Sequence, residues 1–179
     1  AAAAAGFTHA LQIDADGQHD PSAVPGFIAA AIADQRAMIC GQPQFDASIP
    51  RHRLYLRYVT HVMVWLNTLS FDIRDSMCGL RVYPLAVVLP FIKADPPGSR
   101  MDFDVEVLVR LHWNGVAMRW IATRVGYPVD GVSHFRLVKD NWLITRMHTR
   151  LFFGMLRRAP ALIARRLRSA SAAAPGVTT

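Results

Sequence analysis

The chain has 179 residues, 52% of them hydrophobic, and a net charge of +7 from 20 basic and 13 acidic residues, so it reads as one domain with a sizeable core and appendages. Two cysteines, Cys40 and Cys78, exclude a disulfide framework or a cysteine-based zinc site and suit a reducing compartment. No apolar run reaches the roughly 18 residues of a membrane span, and residues 1–5 have neither the basic region nor the apolar core expected of a signal peptide.

In chain order, residues 1–5 predict the end of a helix closed by Gly6, and 8–13 a buried strand. Asp20 is expected to cap a helix with Pro21 at its first position, running to about Gln35. Residues 37–40 suit the next strand and 41–50 a polar loop. Leu54, Tyr58, Met63 and Leu66 have helical spacing within 51–69, and a loop follows through Asp72 and Asp75. A strand over 79–83 and a short helix over 84–93 lead to a firm break at Asp95-Pro-Pro-Gly98. Phe103, Val107, Leu108 and Leu111 set a helix over 103–113 closed by Gly115, followed by a strand region at 116–125 and a polar loop at 127–137. Asp140 is expected to cap a final long helix that Gly154 and Pro160 weaken or kink, with 169–179 disordered. This alternation predicts a parallel sheet with crossover helices. A chain that starts on a helix end rather than a strand is expected to be the carboxyl-terminal part of a longer protein.

Within this frame, Leu11-Gln-Ile-Asp-Ala-Asp-Gly-Gln-His-Asp20 runs a short apolar strand straight into Asp14, Asp16 and Gln18. Alternation would put both aspartates on one side of the backbone, at the carboxyl end of a strand, where open α/β sheets bind ligands. Two such charges repel unless a cation lies between them, and oxygen donors suit a hard ion such as Mg2+ or Mn2+. A metal with open positions can also grip a diphosphate. A solvated Asp-Gly turn accounts for the same residues. Likewise Asp102, Asp104 and Glu106 can simply favour the amino end of a helix dipole, Arg81 can be a strand-edge cation, and 133–136 a surface loop.

All of the excess charge is in the tail. From Asn141 onward there is no Asp or Glu but seven arginines, while the other thirteen basic residues balance the thirteen acids. Trp142, Leu143, Ile144, Met147, Leu151, Phe152, Phe153, Met155 and Leu156 place bulky apolar groups among those arginines, the composition of an interfacial helix on an anionic membrane. The plainer alternative is an amphipathic helix packed on its own domain with a solvated arginine face.

Four segments come in an order that resembles the family 2 inverting glycosyltransferases of the GT-A fold, particularly the polyprenyl-phosphate type typified by dolichol-phosphate mannosyltransferase. They are Gln12-Ile-Asp-Ala-Asp-Gly-Gln-His-Asp-Pro21, Asp75-Ser-Met-Cys-Gly-Leu-Arg-Val-Tyr-Pro84, Met101-Asp-Phe-Asp-Val-Glu-Val-Leu108 and Gly131-Val-Ser-His-Phe-Arg136. The resemblance implies a three-layer α/β/α Rossmann-like domain over 1–138, incomplete at its amino end, then a basic amphipathic helical segment over 139–168 and a tail over 169–179. It implies that Asp14, Asp16 and Gln18 hold Mg2+ or Mn2+, that Asp104 and Glu106 are catalytic, and that Gly79, Arg81, Ser133, His134 and Arg136 bind substrate.

The implied donor is a nucleoside-diphosphate sugar and the acceptor a lipid or lipid phosphate in cell-envelope glycan synthesis. The implied place is the inner face of the cytoplasmic membrane, with no nucleic acid among the partners. Arg81 and Arg136 with the metal would neutralise the leaving diphosphate. Asp104 would serve as base for a hydroxyl acceptor, whereas a phosphate acceptor needs positioning only. His134 replaces the family's usual lysine, which makes its charge depend on pH. The family's nucleotide-base pocket would precede residue 1, so this chain alone is expected to bind donor poorly. A non-enzymatic basic module that binds membrane or nucleic acid is the other class considered.

Overall fold

A computed structural model of the chain describes residues 1–45, 49, 51–126 and 136–173. Its four strands are β1 (His9–Gln12), β2 (Met38–Phe45), β3 (Arg81–Pro84) and β4 (Met118–Val125), joined in one sheet of order β1-β3-β2-β4. The helices are α1 (Val24–Ala33), α2 (Arg51–Thr68), α3 (Leu85–Ala94), α4 (Phe103–Trp113) and α5 (Leu137–Ala173). The start of β2 shows why the sheet is a middle layer. Ala37 and Ile39 belong to a core shared with α1 residues Phe27 and Ala31, while Met38 and Cys40 belong to a second core with Val64, Leu108, Met147 and Leu151. Period-two alternation thus feeds both faces, and a strand covered on both sides reads as a continuous apolar run. Cys40 and Cys78 are free and buried, and burial pushes their thiols up to about 12 and about 11, leaving them unreactive.

The sheet is mixed, which corrects the expected all-parallel arrangement. β2 and β4 are parallel, but β3 is antiparallel to both β1 and β2. The cause is the segment between α2 and β3. Asp75 in that segment takes a two-pronged hydrogen bond from Arg57 in the first half of α2, at 2.7 and 2.8 Å. The chain is therefore held near the edge where β2 finishes, and β3 enters the sheet from there. As a result β1, β2 and β4 all point their carboxyl ends toward the edge at which β3 begins.

Other boundaries shift for local reasons. The expected buried first strand is a half-exposed edge strand, with Leu11 39% and Ile13 38% exposed. The expected polar loop after Cys40 is strand as far as Phe45, because Gly41–Phe45 pair in register with Ile121–Val125. Gly41 serves that strand by close approach, since a Cβ there would sit 2.6 Å from Cys78 Sγ. Asp20 does cap the 3-10 turn Pro21–Ala23 that opens into α1, accepting from Ser22 N at 2.9 Å. Asp140 is not the cap of α5 but lies in its first turn and reaches back to Arg136 N at 2.7 Å. α5 runs unbroken through Gly154 and Pro160 and past Ser169 to Ala173. Gly154 is needed for packing, because the Trp113 ring lies 2.7 Å from where its Cβ would be.

α5 closes the core beside α2 and α4, and the Asn67–His148 contact at 3.2 Å ties it to α2. His148 is buried, and burial holds its pKa down at about 4. Its folded value lies below the unfolded one, so the folded state binds fewer protons between the two and loses stability as pH falls through that window. Acidification from pH 6.5 to 4 should cost about 3 kcal/mol through this group. Urea unfolding of the native chain and of His148→Gln at both pH values checks it, the variant showing a loss smaller by about that amount.

Candidate active site

β1 ends at Gln12, so strand alternation does not place the two aspartates of the first motif; an irregular stretch from residue 13, with a bend at 15–17, does. Gly17 with φ 73° turns the chain, and Asp16 Oδ1 accepts from Gln18 N at 3.0 Å. Asp14 lies with its carboxyl directly over Gly79, in the space a Cβ would fill. Only glycine permits this approach. Asp14 is exposed as a whole residue, yet its carboxyl is tucked against that backbone. The partial burial first, and the facing Asp104 carboxylate second, raise its pKa above the ordinary aspartate value, with Asp16 adding to the repulsion.

Asp104 comes from the first turn of α4 and is held by three side chains. Arg81 donates to its Oδ1 at 3.1 Å and to its carbonyl at 3.0 Å, and Gln12 Nε2 donates to Oδ1 at 3.1 Å. Tyr83 Oη donates to Gln12 Oε1 at 2.7 Å and lies 3.4 Å from Asp104. Burial raises the Tyr83 pKa to about 12, so it stays a neutral donor. Arg81 is only 1% exposed and also donates to Ser76 O at 2.8 Å, so three acceptors spread its buried charge. Burial opposes that charge, but Asp104 and Tyr83 more than offset it and raise the Arg81 pKa.

Asp14, Gly79, Arg81 and Asp104 therefore converge at the edge where β1, β2 and β4 end. Glu106 does not join them. It is buried on another face of α4, where its carboxylate takes Gly98 N at 3.0 Å, Arg110 at 3.2 Å and Arg150 of α5. Among the described residues its donors come from the loop before α4, from α4 itself and from α5, so the structure places Glu106 apart from the Asp14–Asp104 group it was expected to join. Arg136 stands exposed at the start of α5, tied through Asp140 to Arg100. Ser133 and His134 lie outside the described residues. Among the described residues no group of three His, Cys, Asp or Glu side chains is placed to hold a metal. A two-aspartate set still fits Mg2+ or Mn2+, because such ions commonly take one or two carboxylates and complete their shell with substrate phosphates and water.

Sequence reasoning passed over Gln12, Tyr83 and the Arg57–Asp75 pair. Gln12 is the register partner of Arg81, and Tyr83 lies two residues on from Arg81 on the same sheet face, so alternation within the motifs could have found both. Burial is the main cause that lowers the His19 pKa, opposed by the charges of Asp14 and Asp16. Asp75 also accepts from Met77 N and Cys78 N at 2.9 and 2.7 Å, which sets the turn that presents Gly79. No local signal predicts that long-range pairing.

Compared with known proteins, the chain matches no family model and no curated relative. A methyl group at position 79 must displace Asp14, so Gly79→Ala should destabilise the chain, and much less so in an Asp14→Ala background. A double-mutant cycle by chemical denaturation should give a coupling of roughly 0.5 to 3 kcal/mol. Additive effects would mean that the two residues do not touch.

Proposed function

We propose that this chain carries the metal and acceptor side of an inverting glycosyltransferase with the GT-A fold. What carries the reading is the convergence of Asp14, Gly79, Arg81 and Asp104, drawn from three motifs distant in sequence, at one sheet edge. Like charges on Asp14, Asp16 and Asp104 are costly side by side, and Mg2+ or Mn2+ at Asp14 and Asp16 with Gln18 beside it would relieve them while gripping a donor diphosphate. When bound, the metal supplies charge neutralisation at the leaving group. Arg81 orients Asp104 and offsets its charge. Gln12 and Tyr83 restrict its rotation. A carboxylate fixed in this way can take a proton from an acceptor hydroxyl or align an acceptor phosphate that needs no deprotonation. Asp16→Ala should remove Mn2+ binding in the presence of a nucleoside diphosphate, read by electron paramagnetic resonance, and should abolish metal-dependent transfer of radiolabelled sugar to lipid acceptors. Undiminished binding or transfer would refute the assignment.

α5 supports a place on an anionic membrane surface, at the inner face of the cytoplasmic membrane in this reading. Met147, Leu151, Met155 and Leu162 pack inward, and Arg158, Arg165 and Arg166 of α5 are engaged by Trp113, His112 and Leu69. The opposite face is not a solvated arginine face. It exposes Val138, Trp142, Phe153, Leu156, Ile163 and Leu167, bordered by Arg146, Arg157 and Arg168 about three helical turns apart. No helix among the described residues is long and apolar enough to cross a membrane. Removing α5 would open the core, so the test is by substitution. Trp142→Ser with Phe153→Ser, and separately Arg146→Glu with Arg157→Glu, should each abolish flotation with phosphatidylglycerol vesicles while leaving the unfolding midpoint within a few degrees. Unchanged flotation would remove α5 from the membrane contact.

A further inference from the structure

The outer face of α2 is apolar in a particular order. Tyr55, Val59, Val62 and Leu66 follow one another at steps of four, three and four residues, and all are exposed, from 43 to 71%. Such steps keep one seam of a helix facing a partner helix along its length, as the a and d positions of a coiled coil do. On the opposite side of the same helix His61, Val64 and Thr68 are buried against the domain, so the seam points away from the core. Leu56 and Tyr58 flank it at 60 and 59% exposure. These six side chains together expose on the order of 500 Å2, a size at which apolar patches commonly mark interaction sites.

Charge selects the occupant. Between Leu54 and Thr68 the one Arg or Lys is Arg57, which is paired with Asp75, so the seam lacks the arginine border that runs beside the α5 stripe. Its ends differ. α2 opens with Arg51-His-Arg53 and contains no Asp or Glu, which gathers its basic residues at the positive end of the helix dipole, an unfavourable placement. Just past the other end lies Asp72, 3.1 Å from His112 and with its side chain 75% exposed. An antiparallel second copy would bring the basic end of each α2 to the negative end of the other and to Asp72, whereas a parallel copy would bring like ends together. The seam is also self-complementary in that direction. A two-fold axis midway between Val59 and Val62 sets Tyr55 against Leu66 of the second copy and Val59 against Val62 of the second copy, so a large ring meets an aliphatic chain at each end and small β-branched residues meet at the centre. We propose that α2 is the contact between two copies of this chain, packed antiparallel along the seam. The pair covers about 1,000 Å2 in all, at the lower end for specific association, which makes it a reversible dimer. The pairing depends on neither the metal nor the transferase reading.

Sedimentation velocity of the full chain without lipid should give a mass near twice 19.9 kDa at high micromolar concentration, falling on dilution. Val59→Glu and Val62→Lys should each weaken the dimer about a hundredfold, because each sets like charges beside the two-fold axis in an apolar contact. Both positions are exposed in the single chain, so the unfolding midpoint by circular dichroism should stay within a few degrees of the native value. Both substitutions in one chain should restore association to within about tenfold of native, since opposite charges then face each other across an antiparallel pair and like charges across a parallel one. A native chain that stays monomeric, a dimer that persists in Val59→Glu, or a double variant no better than the single ones overturns the proposal. A monomeric native chain whose flotation with phosphatidylglycerol vesicles is lost in Val59→Glu also overturns it and gives the face to the membrane.

Discussion

The arrangement at the sheet edge depends on one buried cation. Arg81 opens β3 in the interior, and an isolated charge there would cost several kcal/mol. It is tolerable because Ser76 O, Asp104 O and Asp104 Oδ1 each accept from it. Those acceptors come from the loop before β3 and from the first turn of α4, so satisfying one guanidinium fixes two separate pieces of chain against the sheet. With α4 fixed in this way, Asp104 cannot turn from Asp14, and its charge adds to the partial burial that raises the Asp14 pKa. A carboxylate pair held together at such cost is a common mark of a functional site, where perturbed groups gather.

A second ion pair sets the geometry beside that edge. Asp75 receives Arg57 from α2 together with two backbone N–H groups of its own turn. The acceptor capacity of its two oxygens is largely used within the protein. That makes Asp75 a poor base or metal ligand and a good anchor. It explains why Gly79 lies where the Asp14 carboxyl can rest on it, and why β3 runs against its neighbours.

Legibility in the sequence followed the range of the interactions. Asp20 capping the turn that opens into α1, the Asn114–Gly115 close of α4 and the helical spacing of α2 are local, and they were readable. The mixed sheet was not, because strand direction depends on the Arg57–Asp75 pair across eighteen residues, which no periodicity records. Gly41 reads as a turn residue until Cys78 is seen above it. The motif residues of the site were recognisable by type, yet type alone could not separate Asp104 from Glu106. They lie two apart on one helix, and helical geometry sends them to different surroundings.

That separation gives α4 two duties. Through Asp104 it faces the sheet edge, and through Glu106 it is held by Arg110 of its own next turn and by Arg150 of α5. α5 in turn grips the carboxyl end of α4, where Arg165 donates to the carbonyls of His112 and Trp113 at 2.8 and 3.1 Å. Contacts at both ends of α4 therefore come from the helix that also bears the exposed apolar stripe. α5 therefore touches the helix that carries Asp104 directly, without a loop between them. Packed elements transmit displacement because interiors are dense and have few voids to absorb it. The tail helix thus holds the element that carries Asp104, with its inner face packed in the core and its outer face bare.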